Sequence, residues 1–348
     1  MMKTKAPLLE CVPNFSEGRD ATTINAIADA IRKTPHVDLL HIDTSPAANR
    51  TVMTFAGAPE AVVEAAFKAI ATASERIDMS QQEGVHPRIG ATDVCPLVPL
   101  HEVTMDSAVQ YSQLLGERVG TELGIPVFLY EHSATKTHRK SLPQIRKGQY
   151  EGMTEKMKDN RWQPDFGPHT FNKQTGATVI GARDILVAFN IALRTKDVSI
   201  AHEIAQAIRE SGYRKQEGDK VVKVPGILSK LRAIGWYMQD YELAQVSFNL
   251  LDYRITSPLK VWLECQRLAQ ERGVDLVGSE VIGLLPEQCL LEAGAYAMKL
   301  EPIVSTGQPP KQLLLQRAIS FMGLEALKSF DPQEKVLEYA LQKMGWEY

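Results

Sequence analysis

The sequence has little of what marks several specialised protein classes. Its 348 residues have an aromatic fraction of 7% and a formal net charge of only −3. No apolar run approaches the roughly 20 residues that span a bilayer, and no N-terminal apolar stretch indicates a signal peptide. A nucleic-acid-binding protein would need a marked basic excess. We therefore expect a soluble cytoplasmic protein with neither membrane nor nucleic-acid partners.

Cysteine is also scarce, and the common catalytic motifs are missing. The four cysteines never form a CxxC pair, which argues against a zinc knuckle and favours reduced thiols (Cys11, Cys95, Cys265 and Cys289). The chain contains no HExxH, GxSxG or GxxxxGK[ST] motif. Metal-dependent and serine-nucleophile chemistry lose support, and we predict no metal site.

What is present is a near-average globular composition, 44% hydrophobic and 23% charged, at a length typical of two domains. Residue patterns predict a strand at 8–13, a helix near 24–31, strands at 37–42 and 51–55, a helix from 59 to 73 and a strand at 94–99. This order describes a split βαββαβ unit. The turn-rich stretch 131–176 is interpreted as a linker or a ligand-facing connection.

The second half repeats this plan in outline. Strands at 185–193 and 244–251 alternate with helices at 200–208 and after Pro258, and helices are predicted at 312–322 and 333–344. The fold class is therefore α+β, with two subdomains of similar plan. We place the subdomains at 1–180 and 181–330, followed by a C-terminal helical segment at 331–348.

The densest polar motif is the loop at 83–93. Pro87 biases His86 towards extended backbone, and histidine has the unperturbed pKa best suited to general-base work near neutral pH. The planar guanidinium of Arg88 can donate hydrogen bonds to both oxygens of a carboxylate. A histidine hydrogen-bonded in a structural turn is an equally weighted alternative.

Three other segments are candidates for binding. In the loop 43–50, Asp43 could orient an imidazole and Asn49 or Arg50 could bind a polar group, although ordinary turn chemistry is favoured there. The basic cluster, Lys136 to Lys147, suits a polyanion or a solvated face. The loop 165–178 has two glycines and two phenylalanines that could stack on a planar ring or plug the loop onto the core.

Taken together, several segments in order resemble the glutamate formimidoyltransferase family: 10–19, 86–96, 142–151, 164–168, 176–183, 234–237 and 244–247. The resemblance implies transfer of a formimidoyl group between N-formimidoyl-L-glutamate and tetrahydrofolate in histidine degradation. It implies two ferredoxin-like subdomains in a homodimer, with folate between the subdomains. The length suits the transferase without the cyclodeaminase to which some members are fused.

The resemblance also implies site residues. His86 matches the catalytic histidine as general base and acid, and Asp43 matches an aspartate near it. The folate-binding segment corresponds to ten consecutive residues: Gly167, Pro168, His169, Thr170, Phe171, Asn172, Lys173, Gln174, Thr175 and Gly176. Arg50 and Arg88 are candidates for binding substrate carboxylates. The basic cluster would suit a polyglutamylated folate.

Two alternatives remain open. One is a glutamate formyltransferase of the same family that uses 5-formyltetrahydrofolate. The other is a non-catalytic folate-binding protein, against which the intact His86-Pro87-Arg88 motif argues.

Overall fold

A computed structural model describes residues 6–300 and 309–347. The chain divides into two compact units, which we call unit 1 (Met1–Asp184 with Leu341–Tyr348) and unit 2 (Ile185–Ala340). Residues 301–308 of the predicted second subdomain lie outside the described residues. Within the described ranges, no helix is both long enough and apolar enough to cross a membrane.

Unit 1 is built around one mixed sheet with helices against it. Its elements, in chain order, are β1 (Leu8–Cys11), β2 (Asn14–Phe15), α1 (Ala21–Arg32), β3 (Val37–Ser45), β4 (Arg50–Gly57), α2 (Pro59–Arg76), β5 (Thr92–His101), α3 (Met105–Glu122), β6 (Val127–Leu129), α4 (Leu142–Arg146), α5 (Gln149–Lys156) and β7 (Thr178–Ala182).

The sheet runs in the order β3, β4, β1 with β2, β5, β7, β6. The strands from β3 to β5 pair antiparallel, whereas β7 pairs parallel with both β5 and β6. After the two short strands β1 and β2, the element order to β5 is helix, strand, strand, helix, strand. Helices α1 and α2 bury small and branched side chains such as Ile27, Ala66 and Ile70 against Phe55 of the sheet.

The stretch 131–176 is not a linker, which corrects that part of the sequence interpretation. It lies within unit 1 and packs Ile145, Met153 and Met157 against Phe128 and Val179. Its many turn-forming residues suggested a linker, but its apolar side chains form part of a small second hydrophobic cluster of unit 1. The chain passes between the units at Asp184 and Ile185.

Unit 2 also contains a sheet packed with helices. Its elements are β8 (Val187–Leu193), α6 (Val198–Ile208), β9 (Tyr213–Glu217), β10 (Lys220–Val224), β11 (Leu231–Met238), β12 (Leu243–Leu250), α7 (Pro258–Gln270), β13 (Leu276–Ile282), α8 (Glu287–Leu300), α9 (Lys311–Phe321), α10 (Pro332–Lys335) and α11 (Leu337–Lys343), whose last three residues belong to unit 1.

An antiparallel sheet in the order β11, β12, β8, β13 forms the centre of unit 2. One face of it buries Phe189, Val246 and Phe248 among helix residues such as Ile204 and Trp262. The strands β9 and β10 form a separate two-stranded hairpin. The two halves of the chain are thus both mixed α and β units that contain a sheet, as the sequence predicted.

The end of the chain differs from its prediction in two ways. The single helix expected at 333–344 is interrupted at Val336, where the backbone pairs in parallel with Leu285. The predicted segment 331–348 is also divided between the units. Its last part belongs to unit 1, where the Trp346 indole donates a hydrogen bond of 2.7 Å to Asp38.

Candidate active site

The predicted histidine motif and the predicted folate-binding segment lie side by side in unit 1. The backbone N–H of Ala91 donates to Thr175 O at 2.8 Å, and that of Ala177 donates to Ile89 O at 3.0 Å. Gly90 faces Gly176 across this junction. A side chain at Gly90 would place its Cβ 2.1 Å from Ala177 O, so only glycine permits this approach.

A turn before β4 connects this junction to Arg50. Asn49 has a φ of 46°, its side chain accepts a hydrogen bond of 2.9 Å from Gly18 N, and its amide donates to Glu83 O at 2.8 Å. A positive φ is tolerated by asparagine better than by most residues. Asn49 therefore fixes the start of β4 against the loop that carries His86.

The ring nitrogens of His86 have different partners. Nδ1 is 2.8 Å from Pro87 O, and Nε2 contacts Nη1 of Arg50. A carbonyl oxygen only accepts, so Nδ1 carries the proton and, in the neutral ring, the lone pair of Nε2 accepts from Arg50. Burial, followed by the charges of Arg50 and Arg146, holds the pKa of His86 well below its usual range. The ring is therefore neutral at pH 7.

A buried carboxylate positions the second arginine of this site. Asp93 accepts a hydrogen bond of 2.9 Å from Ile89 N and forms an ion pair with the guanidinium of Arg146. Sequence reasoning missed Asp93, because it is 53 residues from Arg146 and no local spacing connects them. Asp93 thus holds Arg146 near the histidine.

Arg50 lies in an environment that disfavours its charge. Burial and the neighbouring Arg146 lower its pKa to about 10, and the opposing effects of Asp93 and Asp43 do not compensate. A carboxylate brought to Arg50 would supply the missing counter-charge.

The structure places Asp43 in β3 with its carboxylate buried and 3.5 Å from Nε2 of His41. The sequence assigned Asp43 to hold the tautomer of His86. In the structure the ring nitrogen Nδ1 of His86 also bonds the carbonyl of Pro87. The electrostatic effect of Asp43 on Arg50 nevertheless brings it into the same charge cluster.

Arg88 is engaged elsewhere, unlike Arg50. Its guanidinium donates to both carboxylate oxygens of Glu151 at 3.0 and 2.7 Å, and to the side chain and backbone of Gln82 at 2.8 and 3.2 Å. It is 8% exposed. These contacts use the hydrogen-bond donors with which Arg88 was expected to bind a substrate carboxylate. In this structure Arg88 instead links the loop that carries His86 to α5.

The predicted folate segment is an exposed loop anchored at its ends. Asn172 accepts backbone hydrogen bonds from Gln174 and Thr175 at 3.0 and 3.1 Å, and the Phe171 ring lies 5.3 Å from that of Tyr150. The segment reaches solvent at His169, Thr170, Lys173 and Gln174, whereas Thr175 and Gly176 are buried.

The basic cluster, Lys136 to Lys147, is partly structural. Arg139 is fully buried, pairs with Asp165 at 2.9 Å and donates to Arg161 O at 2.8 Å. Arg146 belongs to the histidine site. Fewer charges of this cluster are therefore open to a polyanion than the sequence suggested.

Unit 2 has a buried polar group of its own, which we call the Glu280 network. Asn190 and Gln245 donate to Oε1 of Glu280 at 3.1 and 2.8 Å, and the Tyr241 hydroxyl donates to Oε2 at 3.0 Å. The Trp236 indole donates to Gln245 at 2.8 Å.

Among the described residues, no group of three or more His, Cys, Asp or Glu side chains is placed to hold a metal ion.

Comparison with known proteins identifies the chain's relatives. It is 45% identical over 341 residues to the formimidoyltransferase-cyclodeaminase of Rattus norvegicus, an alignment that covers 98% of this chain and 61% of that protein. It is 40% identical over 296 residues to the glutamate formimidoyltransferase of Streptococcus pyogenes serotype M1, which covers 85% of this chain and 95% of that one. The enzyme of the same name from Thermoplasma acidophilum is 42% identical, with 84% and 93% covered.

The chain therefore spans 61% of the length of the rat protein and nearly the whole of the two shorter ones. Residues 8–183 match the family described as formiminotransferase domain, N-terminal subdomain, and residues 188–342 match the family described as formiminotransferase domain. On these matches, the chain belongs to the formiminotransferase domain family.

Proposed function

We propose that this chain is a glutamate formimidoyltransferase, which moves the formimidoyl group of N-formimidoyl-L-glutamate to N5 of tetrahydrofolate in histidine degradation. The observation that carries the proposal is the coincidence of two facts. Relatives named for this activity align over most of the chain, and the chain holds a neutral His86 beside Arg50 in the region of that alignment.

His86 acts as general base and then as general acid. N5 of tetrahydrofolate attacks the formimidoyl carbon, forming the N5–C bond, while Nε2 of His86 takes the N5 proton. The tetrahedral intermediate expels the glutamate nitrogen, breaking the second C–N bond, and the imidazolium returns the proton to that nitrogen. The depressed pKa of His86 in the ligand-free protein keeps the ring neutral, as a base must be.

Arg50 is the proposed ligand for a carboxylate of the glutamate substrate, since its charge is poorly compensated. Residues 167–176 are proposed to bind tetrahydrofolate because this loop adjoins the histidine motif. Holding the two substrates together supplies much of the rate. Asp43 contributes through its field at Arg50.

The finer predictions complete the proposal. They are ferredoxin-like topology for the two units, with boundaries near 180 and 330, folate between the units, a homodimer, a cytoplasmic location, and a preference for polyglutamylated folate. The strand orders within each unit support the first of these.

The decisive experiment mixes the full-length protein with N-formimidoyl-L-glutamate and tetrahydrofolate and follows 5-formimidoyltetrahydrofolate. A parallel reaction contains 5-formyltetrahydrofolate and L-glutamate. We expect fast formation of 5-formimidoyltetrahydrofolate. Faster transfer of the formyl group would instead identify a formyltransferase, and tetrahydrofolate binding with neither transfer would identify a folate-binding protein.

A further inference from the structure

The atom of His86 that must take a proton is covered in this structure. Nη1 of Arg50 contacts Nε2, while Nδ1 is committed to Pro87 O at 2.8 Å. A base whose lone pair already accepts from a guanidinium cannot accept a proton from a substrate. The side chains of the site are therefore in place, but Arg50 blocks the nitrogen of His86 that must accept the proton.

The surroundings of Arg50 indicate what would remove it. Asp93 is occupied by Arg146 and Ile89 N, and Asp43 lies 3.5 Å from Nε2 of His41. Arg50 thus donates to a neutral nitrogen although a guanidinium prefers the two oxygens of a carboxylate, to which its hydrogen bonds are shorter and roughly twice as strong. The substrate that the proposed function assigns carries two carboxylates.

We propose that Arg50 keeps His86 blocked until a carboxylate of the glutamate substrate draws the guanidinium away and frees Nε2 for proton transfer. This inference rests on the proposed function. It assigns Arg50 two linked tasks, binding the substrate and releasing the base, so that the base becomes available only when the group to be transferred is in place.

Electrostatics adds a second consequence. The charged groups around His86 and Arg50 include Arg50 itself at the start of β4, Arg146 in α4, Asp93 in β5 and Asp43 in β3. When Arg50 turns to an anion, one cationic neighbour of the imidazole is neutralised and an anionic group arrives. Both changes favour the imidazolium, so the pKa of His86 rises when the substrate binds.

The test is a titration of His86 by NMR in full-length protein labelled with ¹³C-histidine, the resonance being assigned with His86→Gln. Spectra are recorded without ligand and with saturating L-glutamate. We expect L-glutamate to raise the pKa of His86 by about one unit or more, the usual effect of one charge at this distance. In Arg50→Gln the ligand-free protein should already show the higher pKa, and L-glutamate should no longer change it.

Two comparisons make the result specific. Arg118→Gln removes a surface arginine that pairs with Glu64 and Glu122, and it should titrate like the wild type. Tetrahydrofolate also carries carboxylates, so it is compared with 6-methyltetrahydropterin, which has none. We expect neither compound to raise the pKa as L-glutamate does. A shift with tetrahydrofolate alone would assign Arg50 to the folate tail and overturn the proposal.

The inference fails if the pKa of His86 is the same in the wild type and Arg50→Gln, or if L-glutamate leaves it unchanged in the wild type. A wild-type ring that stays neutral over the whole folded range, beside an Arg50→Gln ring that titrates, supports it. The titration needs no turnover, so its outcome is independent of the transfer assay. Active transfer with no shift rejects only the inference, and a shift without transfer rejects only the proposed function.

Kinetics provide an independent readout. Arg50→Gln should raise the KM for N-formimidoyl-L-glutamate at least about tenfold, as expected when a charge-assisted contact is lost. The acidic limb of its kcat/KM profile should move to higher pH, because that profile reports the free enzyme. A purely structural role for Arg50 would change the amount of active enzyme without moving that limb.

Discussion

Four strands follow the same order in the two units, β3-β4-β1-β5 in unit 1 and β11-β12-β8-β13 in unit 2, but the units hold their buried polar side chains differently. In unit 1 the histidine and arginines of the candidate site lie on a loop or at the end of an element: His86 is in a loop, Arg50 begins β4 and Arg146 ends α4. In unit 2 the Glu280 network lies largely on the strands themselves, and neutral amide groups from Asn190 and Gln245 surround the single carboxylate. Strand residues are fixed by the sheet, whereas loop residues can be rearranged by a ligand. The contrast predicts chemistry in unit 1 and a rigid polar scaffold in unit 2.

The largest effect that would test this contrast is on turnover. His86→Ala should lower kcat by about two to four orders of magnitude, the usual contribution of a general base, with tetrahydrofolate binding retained. Steady-state kinetics and ligand fluorescence measure the two quantities. His132→Ala, which removes an exposed partner of Asp184, should have wild-type kcat. If the kcat of His86→Ala were close to that of the wild type, His86 would not be the general base.

The next effect concerns the stability of the charged region. Arg139→Met leaves the carboxylate of Asp165 buried without its cation, so the free energy of unfolding should fall by about 3–5 kcal/mol. Chemical denaturation measures the change. Lys158→Met breaks a solvent-exposed pair with Glu155 and should cost at most about 1 kcal/mol. Equal losses in the two variants would contradict the assignment of Arg139 to a buried structural pair.

The scaffold of unit 2 should respond differently to loss of charge. Glu280→Gln keeps an oxygen for Asn190 and Gln245, and its new amide can donate to the hydroxyl of Tyr241, so the free energy of unfolding should change by less than about 1 kcal/mol. Glu280→Ala orphans these donors, at about 1–3 kcal/mol for each one that stays buried. A Gln variant as unstable as the Ala variant would show that the charge itself matters.

The smallest effect is a difference in pH dependence. Because the native pKa of His86 lies below its unfolded value of 6.5, the unfolded chain binds more protons between the two, and stability falls as the pH drops below that value. His86→Gln cannot be protonated, so it should lose less stability than the wild type between about pH 7.5 and about pH 5.5. His169→Gln, at an exposed position, should follow the wild type. Parallel curves for all three proteins would mean that His86 is not desolvated.

Local patterns in the sequence predicted most of the regular elements. The helix expected at 59–73 is found at Pro59–Arg76, and the strand at 185–193 is found at Val187–Leu193. The helix at 333–344 was wrong at Val336, because a backbone pairing with Leu285 overrides helical periodicity. The hairpin of β9 and β10 was missed although Gly218 and Asp219 form a recognisable turn signal between the two strands.

The sequence allowed individual residues of the site to be predicted, but not which side chains pair with one another. The motif around His86 could be found because proline, glycine and histidine cluster in one loop. The pairing of Arg88 with Glu151, and of Arg146 with Asp93, joins residues more than fifty positions apart. Such pairings depend on the fold, which decides that one arginine ties the loop down while Arg50 faces the imidazole.

The contact between Trp346 and Asp38 has a consequence for how the chain reaches its native state. Residues of unit 1 occur on both sides of unit 2, and these two side chains are 308 positions apart. Closing so long a loop costs conformational entropy, and contacts of this separation form late. During synthesis the ribosome must therefore deliver all of unit 2 before unit 1 can make its last contact. A protein truncated after Asp184 would leave the part of unit 1 that contains His86 without the C-terminal residues that pack against it.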